Sequence, residues 1–471
     1  MYSHKIMKKA SCLLILFLIS IIGCKKFVEI DPPITELVTA SVFNNASSAT
    51  SAQTVIYSKM SSNNESYNLE QNTGLLADEL ANYSGSSLNL AFYHNAMTAA
   101  LGPGPWTNAY GYIYDCNAIL EALQNNTAIK PVITQQLTGE SKFLRAFWYF
   151  YLANIYGDVP LLTSTDYKIN ATISRTPRAQ VYQQIITDLT DAKNSLSANY
   201  VDATDTIATI DRVRPNKFAA AALLARTYLY LGKYDSAEAH ATSVINNSLY
   251  SLPSLDNAFL KNSSEAIWQL MIPLPSSTNA TPDGNKFILI SASNNVGISS
   301  FLLNSFEAND LRYTKWIGKY PTTPNPATTY YYTNKYKVRS QTTAPTEYTM
   351  VLRLAEQYLI RAEARAMQNE TAGAIADLNA IRSRAGLPNY AGATDKASLL
   401  TAILHERQVE LFTEWGHRWF DLIRTNSVDS VMGRVAPLKG GTWSLDGHQK
   451  LYPIYYYEIL SDPNLTQTPG Y

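Results

Sequence analysis

The chain has 471 residues, enough for one large domain or two to three ordinary ones. Lys+Arg and Asp+Glu tie at 38 each, which excludes the basic footprint that binding to a phosphate backbone needs; no nucleic-acid partner is expected. Only 16% of residues are charged while 46% are hydrophobic and 32 are Tyr, so a sizeable core would carry a surface of amide, hydroxyl and phenol groups suited to neutral polar ligands outside the cell.

Residues 1–23 read as a secretion signal. His4, Lys5, Lys8 and Lys9 form its basic start, and Leu13 to Ile22 form an apolar run shorter than the roughly 20 residues of a membrane-spanning helix. The following IIGC at 21–24, with small Gly23 before Cys24, resembles the lipobox of bacterial lipoproteins, in which the Cys is acylated and becomes the first residue. Cys24 is therefore the expected lipidation site and the membrane anchor, each buried acyl methylene adding roughly 0.8 kcal/mol. With Cys12 in the signal and Cys24 acylated, Cys116 remains, so no internal disulfide is possible and Cys116 is expected in the core. Residues 24–36, with Pro32-Pro33, read as an extended leash to a single body at 37–471.

Helical patterns follow at roughly 47–61, 106–124, 134–156, 178–197, 215–231, 235–246, 350–368, 372–385 and 396–415. They cluster as pairs. In one pair Ala225, Tyr228, Gly232, Tyr234, Ala237 and Val244 fall at tetratricopeptide spacing: the Ala residues let two helices approach, and Gly232 turns the chain. A second copy has Ala362, Asn369, Ala374, Leu378 and Ile381, with Asn369 in the turn position. A third pairs 143–157 with 181–196, and a fourth pairs 106–124 with the helix before it. The fold class is thus mainly α, a tetratricopeptide-like scaffold with helix pairs within about 106–246 and 350–424. Long irregular segments at about 62–105 and 250–349 are expected to face ligand, and 425–471 reads as irregular too. Minor strands are expected at 266–272 and 333–340.

Catalytic constellations are mostly absent from the sequence. His94, His240, His405, His417 and His448 fall at no i,i+4 spacing and no HExxH occurs, so no structural zinc site is supported. No phosphate-cradling loop, dinucleotide fingerprint or GxSxG elbow is present, and no cofactor is implied. Gly102-Pro103-Gly104-Pro105 reads as a turn. No EF-hand spacing is visible, which leaves open a calcium ion held by scattered carbonyls. Glu406, Glu410 and Glu414 share a helix face at i,i+4,i+8 with Arg407, Arg418 and Arg424 nearby, which reads as an acid–Arg lattice rather than a glycosidase pair, because adjacent guanidinium groups lower a carboxyl pKa. Asp78-Glu79 is the other acidic pair, but neighbouring residues point different ways. Aromatic residues in or beside loops, among them Trp106, Tyr110, Trp316, Tyr320 and Tyr330-Tyr331-Tyr332, suit stacking on sugar rings as well as packing of loops onto the scaffold.

Several stretches together resemble the SusD/RagB outer-membrane lipoproteins of the Bacteroidota: CKKFVEIDPP after the lipobox, GESKFLRAFWYFYLANIYGDVPLL, EQYLIRAEARA with ADLNAIRSRAGL, ERQVELFTEWGHRWFDLIR and LYPIYYYEILSDPNLTQTPGY. Asp462 stands where the family more often has Asn, and Trp415-Gly416-His417 where a Glu- or Gly-rich version is common. The resemblance implies a surface-exposed, lipid-anchored outer-membrane protein that is not an enzyme. Such a protein binds oligosaccharide, or in some members peptide, and docks as a lid on a SusC-like TonB-dependent transporter. It also implies that Glu406, Arg407, Glu410, Leu411, Gly416, Arg418, Asp421 and Arg424 are scaffold, and that ligand lies on variable loops. The expected ligand contacts are therefore Asp78, Asn82 and Tyr83, then Trp106 and Asn108 at a helix start with free backbone donors, then Trp316 with Tyr330, Tyr331 and Tyr332. Glycan capture leads. Peptide capture on the same scaffold, a glycan hydrolase and a lid without ligand specificity are the alternatives.

Overall fold

Small residues at helix crossings set the architecture. The protein is described here by a computed structural model covering residues 42–102, 104–291, 295–321, 328–445 and 447–471. The expected signal, Cys24 and the leash lie outside the described residues, and Phe43–Tyr471 forms one compact unit. Its principal helices are α1 (Ala46–Ser62), α2 (Glu65–Leu76), α3 (Ser87–Tyr93), α4 (Trp106–Leu123), α5 (Pro131–Tyr156), α6 (Arg178–Ser195), α7 (Lys217–Tyr230), α8 (Tyr234–Ile245), α9 (Leu354–Met367), α10 (Thr371–Arg384), α11 (Lys396–Glu410), α12 (His417–Arg424) and α13 (Val428–Leu438).

The tetratricopeptide reading holds at its steric joints. Gly232 turns α7 into α8 with φ +67°, and Asn369 turns α9 into α10 with φ +65°, the left-handed conformation that Gly and Asn tolerate best. Ala225, Leu229, Ala237 and Ala241 pack with Ile360 and Ala364, while Ala362, Ala366, Ala374 and Leu378 pack with Leu399 and Ile403. Each layer of helices therefore closes on the next through methyl groups. The third pair forms as α5 against α6, locked by a buried Arg145–Asp188 clasp at 2.8 and 2.7 Å. The fourth differs from expectation, since α4 packs chiefly against α5, the helix after it. Its buried face carries Ala109, Ile113 and Cys116, and Tyr112 stacks on Trp148 of α5 at 5.0 Å. Burial pushes the Cys116 thiol up, as suits an inert core residue.

Among the described residues, three two-stranded antiparallel pairs complete the body: β1 (Leu80–Asn82) with β3 (Val296–Ile298), β2 (Ala266–Leu270) with β6 (Thr349–Arg353), and β4 (Ile317–Pro321) with β5 (Thr329–Thr333). Residues 350–353, expected as the start of a helix, are instead strand. TMVLR is buried throughout and pairs with β2, and the helix begins only at Leu354. The strand expected at 333–340 lies almost wholly beyond β5, which ends at Thr333.

Of the principal helices, α2, α3, α12 and α13 fall outside the helical patterns expected from the sequence. Polar residues bury the faces of α2, among them Glu65, Ser66, Glu70 and Thr73, so no apolar period announces it. Helix α13 runs through Gly433 and Pro437 to Leu438, in a stretch expected to be irregular. Just beyond it, Lys439 reaches back across the chain. Its Nζ donates to the carbonyls of Leu75, Leu76 and Ala77 at 2.7, 3.0 and 2.9 Å, closing the C-terminus of α2. Burial lowers this ammonium to about 7, against the opposing pull of Asp78.

Candidate ligand-binding site

The end of α2 leads directly into the segment that presents Tyr83. Asp78 is buried and clasped by Arg418 at 2.8 and 2.7 Å, and its carbonyl accepts from the Ser299 hydroxyl. The Ser299 N–H donates to the Glu79 carbonyl at 2.9 Å, so β1 enters its pairing with β3 in fixed register, Leu80 opposite Ile298 and Asn82 opposite Val296. Tyr83 extends this ladder, its N–H donating to Asn295 at 2.7 Å. Opposite Ala81 stands Gly297, and a Cβ there would lie 2.6 Å from the Tyr331 carbonyl and 3.0 Å from the Tyr83 ring. Only Gly allows the β4–β5 hairpin to come this close to Tyr83.

Cross-strand register then sorts the hairpin's aromatics. Tyr320 stands opposite Tyr330 and Gly318 opposite Tyr332, so those three Tyr residues share one face. The Tyr332 ring lies over Gly318, whose missing Cβ would sit 2.2 Å from it. Tyr83 meets Tyr330 edge to face, with centroids 4.9 Å apart at 87°. Tyr331 belongs to the other face, opposite Lys319, whose Nζ lies 5.8 Å from its ring. The result is a cluster of Tyr83, Tyr320, Tyr330 and Tyr332, with Tyr83 41% exposed and the others half-buried. Burial raises the Tyr83 phenol above its ordinary range, with Tyr330 and Tyr93 adding to the effect, and burial likewise raises Tyr332. Both stay uncharged hydroxyls at neutral pH.

The other forecast residues fall elsewhere. Asn82 is half-buried and folds its amide onto Ser84, accepting from its N–H at 3.0 Å. Trp106 is 7% exposed and packs between Tyr110 and Tyr156, each with centroids at 4.9 Å. Asn108 is exposed, but its side chain donates to Glu65 at 2.7 Å, away from the hairpin. Trp316 has no exposed surface: its Nε1 donates to the Leu255 carbonyl at 3.1 Å, and Phe259, Phe412 and Lys335 cover its ring. The structure thus brings Asn82, Tyr83 and Tyr330–Tyr332 together and leaves Asp78, Trp106, Asn108 and Trp316 inside the scaffold or at other places. Thr329–Thr333 and Ile317–Pro321 flank a Thr/Pro-rich link, and once they pair as a hairpin the two-residue period of a strand separates Tyr331 from its neighbours.

The acidic run 406–414 forms a lattice, but α11 ends at Glu410, so Glu414 joins from the turn beyond it rather than from the same helix face, and the cations differ from those nearby in sequence. Arg353 donates to Glu265 and Glu410 at 2.8 and 2.6 Å and to Glu414 at 2.6 Å. Arg312 bridges Asp310, Glu406 and Glu410, Arg384 bridges Glu265 and Glu410, and Lys335 pairs with Glu414. Arg407 and Arg424 serve Asp421, while Arg418 serves Asp78. Burial alone would raise Glu410, but Arg384, Arg353 and Arg312 overcome it and hold the carboxyl well below the usual range. A carboxyl in that state cannot serve as a general acid. Glu79 is different: burial, reinforced by Asp78, pushes it up to about 8, and its Oε1 has no hydrogen-bond partner. It is 2% exposed, without access for a substrate.

Residues 305–471 match a family model described as the SusD family, and residues 26–229 match one described as starch-binding, associating with the outer membrane. A SusD-like protein of Formosa agariphila is 26% identical over 424 residues, spanning 78% of this chain and 79% of its own. Among solved structures, a SusD homolog from Bacteroides thetaiotaomicron superposes with a TM-score of 0.79 at 20% identity, covering 93% of this chain and 99% of its own. A laminarin-binding SusD-like protein gives 0.73 at 24% identity, with 90% and 99% covered. Among the described residues no helix is long and apolar enough to cross a membrane.

Proposed function

We propose, from the premise that this chain belongs to the SusD family, that it captures neutral oligosaccharides on the tyrosine cluster. It then delivers them to a SusC-like TonB-dependent transporter, while lipid on Cys24 holds it to the outer membrane. The observation that carries the reading is the half-exposed group of Tyr83, Tyr320, Tyr330 and Tyr332. A phenol ring offers an apolar face to the C–H face of a sugar and a hydroxyl edge to its polar groups, at the entropy cost of only two torsions. Burial raises the phenols of Tyr83 and Tyr332 and keeps both uncharged, which suits a neutral ligand. The family description of starch binding and the laminarin-binding relative support polysaccharide as the ligand class. The carboxylates of α11, each held by Arg, support binding without hydrolysis.

Affinity electrophoresis of the mature chain through gels containing starch, laminarin or an acidic polysaccharide tests this. Retardation by a neutral polysaccharide, unshortened afterwards and lost in Tyr83→Ala and Tyr330→Ala, is expected. Retardation that both variants retain in full would move the ligand off the hairpin.

A further inference from the structure

Apart from the tyrosine cluster, a cavity of about 260 Å³ opens between α2, α3, the start of α4 and the middle of α5. Its buried lining includes Glu65, Trp148 and Tyr452, and its more exposed lining includes Asn68 and Asn72. The loop before α4 closes against it, because Gly104, at φ +88°, has no Cβ to strike Tyr452 at 3.0 Å.

Two side chains on this lining carry a polar atom with no partner. Trp148 is 1% exposed and Tyr452 not at all, yet neither the indole Nε1–H nor the Tyr452 hydroxyl makes a hydrogen bond. Buried polar groups are nearly always satisfied, and two orphans on one cavity wall point to something the cavity receives. The Asn72 amide, half-buried at the same cavity, has no protein hydrogen bond either. By contrast Glu65 is already engaged, its Oε1 accepting from Asn108 at 2.7 Å and Tyr112 at 2.9 Å.

These groups define the missing occupant. An indole N–H needs an acceptor, which excludes a bare cation. A phenol and a primary amide can each donate and accept, which suits hydroxyl groups that do both. The Glu65 carboxyl disfavours an anion. The volume falls just under the roughly 300 Å³ at which drug-sized pockets begin, so a single ring fits better than a chain.

We infer that this cavity is a second binding subsite, separate from the tyrosine cluster, which takes one uncharged polyhydroxyl ring, either a free monosaccharide or the terminal unit of an oligosaccharide. The inference shares with the proposed function only the class of ligand.

The test is calorimetric titration of the full chain in detergent with glucose, galactose and mannose, and separately with maltohexaose and laminarihexaose. Tyr452→Phe and Asn72→Ala are compared with Tyr330→Ala. Each cavity variant is expected to weaken binding about fivefold, the value of one hydrogen bond. Tyr452→Phe should leave the Tm unchanged or raise it, since it deletes a hydroxyl with nothing to bond. Weakening seen with monosaccharides assigns the site to free sugar; weakening seen only with the hexaoses assigns it to a chain end. Unchanged binding in both cavity variants, or no binding of any of the five sugars, overturns the inference and leaves the orphan groups to ordered water alone. Tyr330→Ala tells the two sites apart: if it alone abolishes binding the cavity inference fails, and if only the cavity variants matter the hairpin reading fails.

Discussion

Trp316 and Tyr330 lie fourteen residues apart, on either side of one hairpin, and have opposite fates. Trp316 is sealed among Phe259, Phe412 and Lys335 over a lattice of paired charges, where nearly every polar atom already has a partner. Tyr330 stands on a two-stranded ribbon with its ring edge-on to Tyr83 and part of its surface in water. The lattice is finished chemistry and the ribbon is unfinished. Residue type does not separate them; what matters is how much of each side chain's bonding the fold has used up.

The sharpest way to break the contrast is Glu410→Gln. It leaves Arg312, Arg353 and Arg384 short of a shared buried counter-charge and should cost about 3–5 kcal/mol in denaturant unfolding. A cost under about 1 kcal/mol would show that the lattice tolerates vacancies. Because the folded Glu410 carboxyl is held below its ordinary range, its contribution is present at neutral pH and is lost only as the pH falls far into acid. Trp316→Ala should cost about 3–5 kcal/mol as a core truncation, read as a drop in Tm.

A middle-sized effect comes from Glu79, pushed up to about 8 by burial and by Asp78. Folded protein holds this proton where unfolded chain, with a value near 4.5, has released it, so folding stability falls as pH rises from about 4.5 to 8. Denaturation of wild type and Glu79→Gln at pH 5 and pH 8 isolates the group: wild type should lose ground to the variant at the higher pH. Parallel behaviour would mean the carboxyl ionises normally. The smallest stability change belongs to Tyr330→Ala, expected within about 1 kcal/mol, yet it should weaken polysaccharide retardation most. If its Tm falls like that of Trp316→Ala, the ribbon is core and the comparison dissolves.

What could be read in advance follows the same division. Ala225, Gly232 and Ala237, and their counterparts Ala362, Asn369 and Ala374, were legible because close helix approach permits few residues at those places. The acidic run 406–414 was legible as a lattice, but its cations were not, since Arg312, Lys335 and Arg353 come from segments far back in the chain. Strand β6 passed for a helix start because TMVLR is uniformly buried, which erases the alternation that marks a strand. Among the expected contacts, Tyr330–Tyr332 as loop aromatics and Tyr83 from the resemblance all keep surface in water, while Trp106 and Trp316 looked like the former in sequence and are packed. The cavity lined by Trp148 and Tyr452 joins residues some three hundred positions apart and has no local signature.

Lys439 gives the molecule a direction in time. A ribosome delivers residues 75–77 long before it delivers residue 439, so for most of synthesis the last carbonyls of α2 have no ammonium to meet. That helix carries one wall of the cavity and leads straight into Tyr83. Both proposed surfaces therefore depend on a residue made late, and a product that stops before Lys439 leaves α2 open at the end next to Tyr83. Those proposed surfaces are thus set last, after the scaffold that displays them.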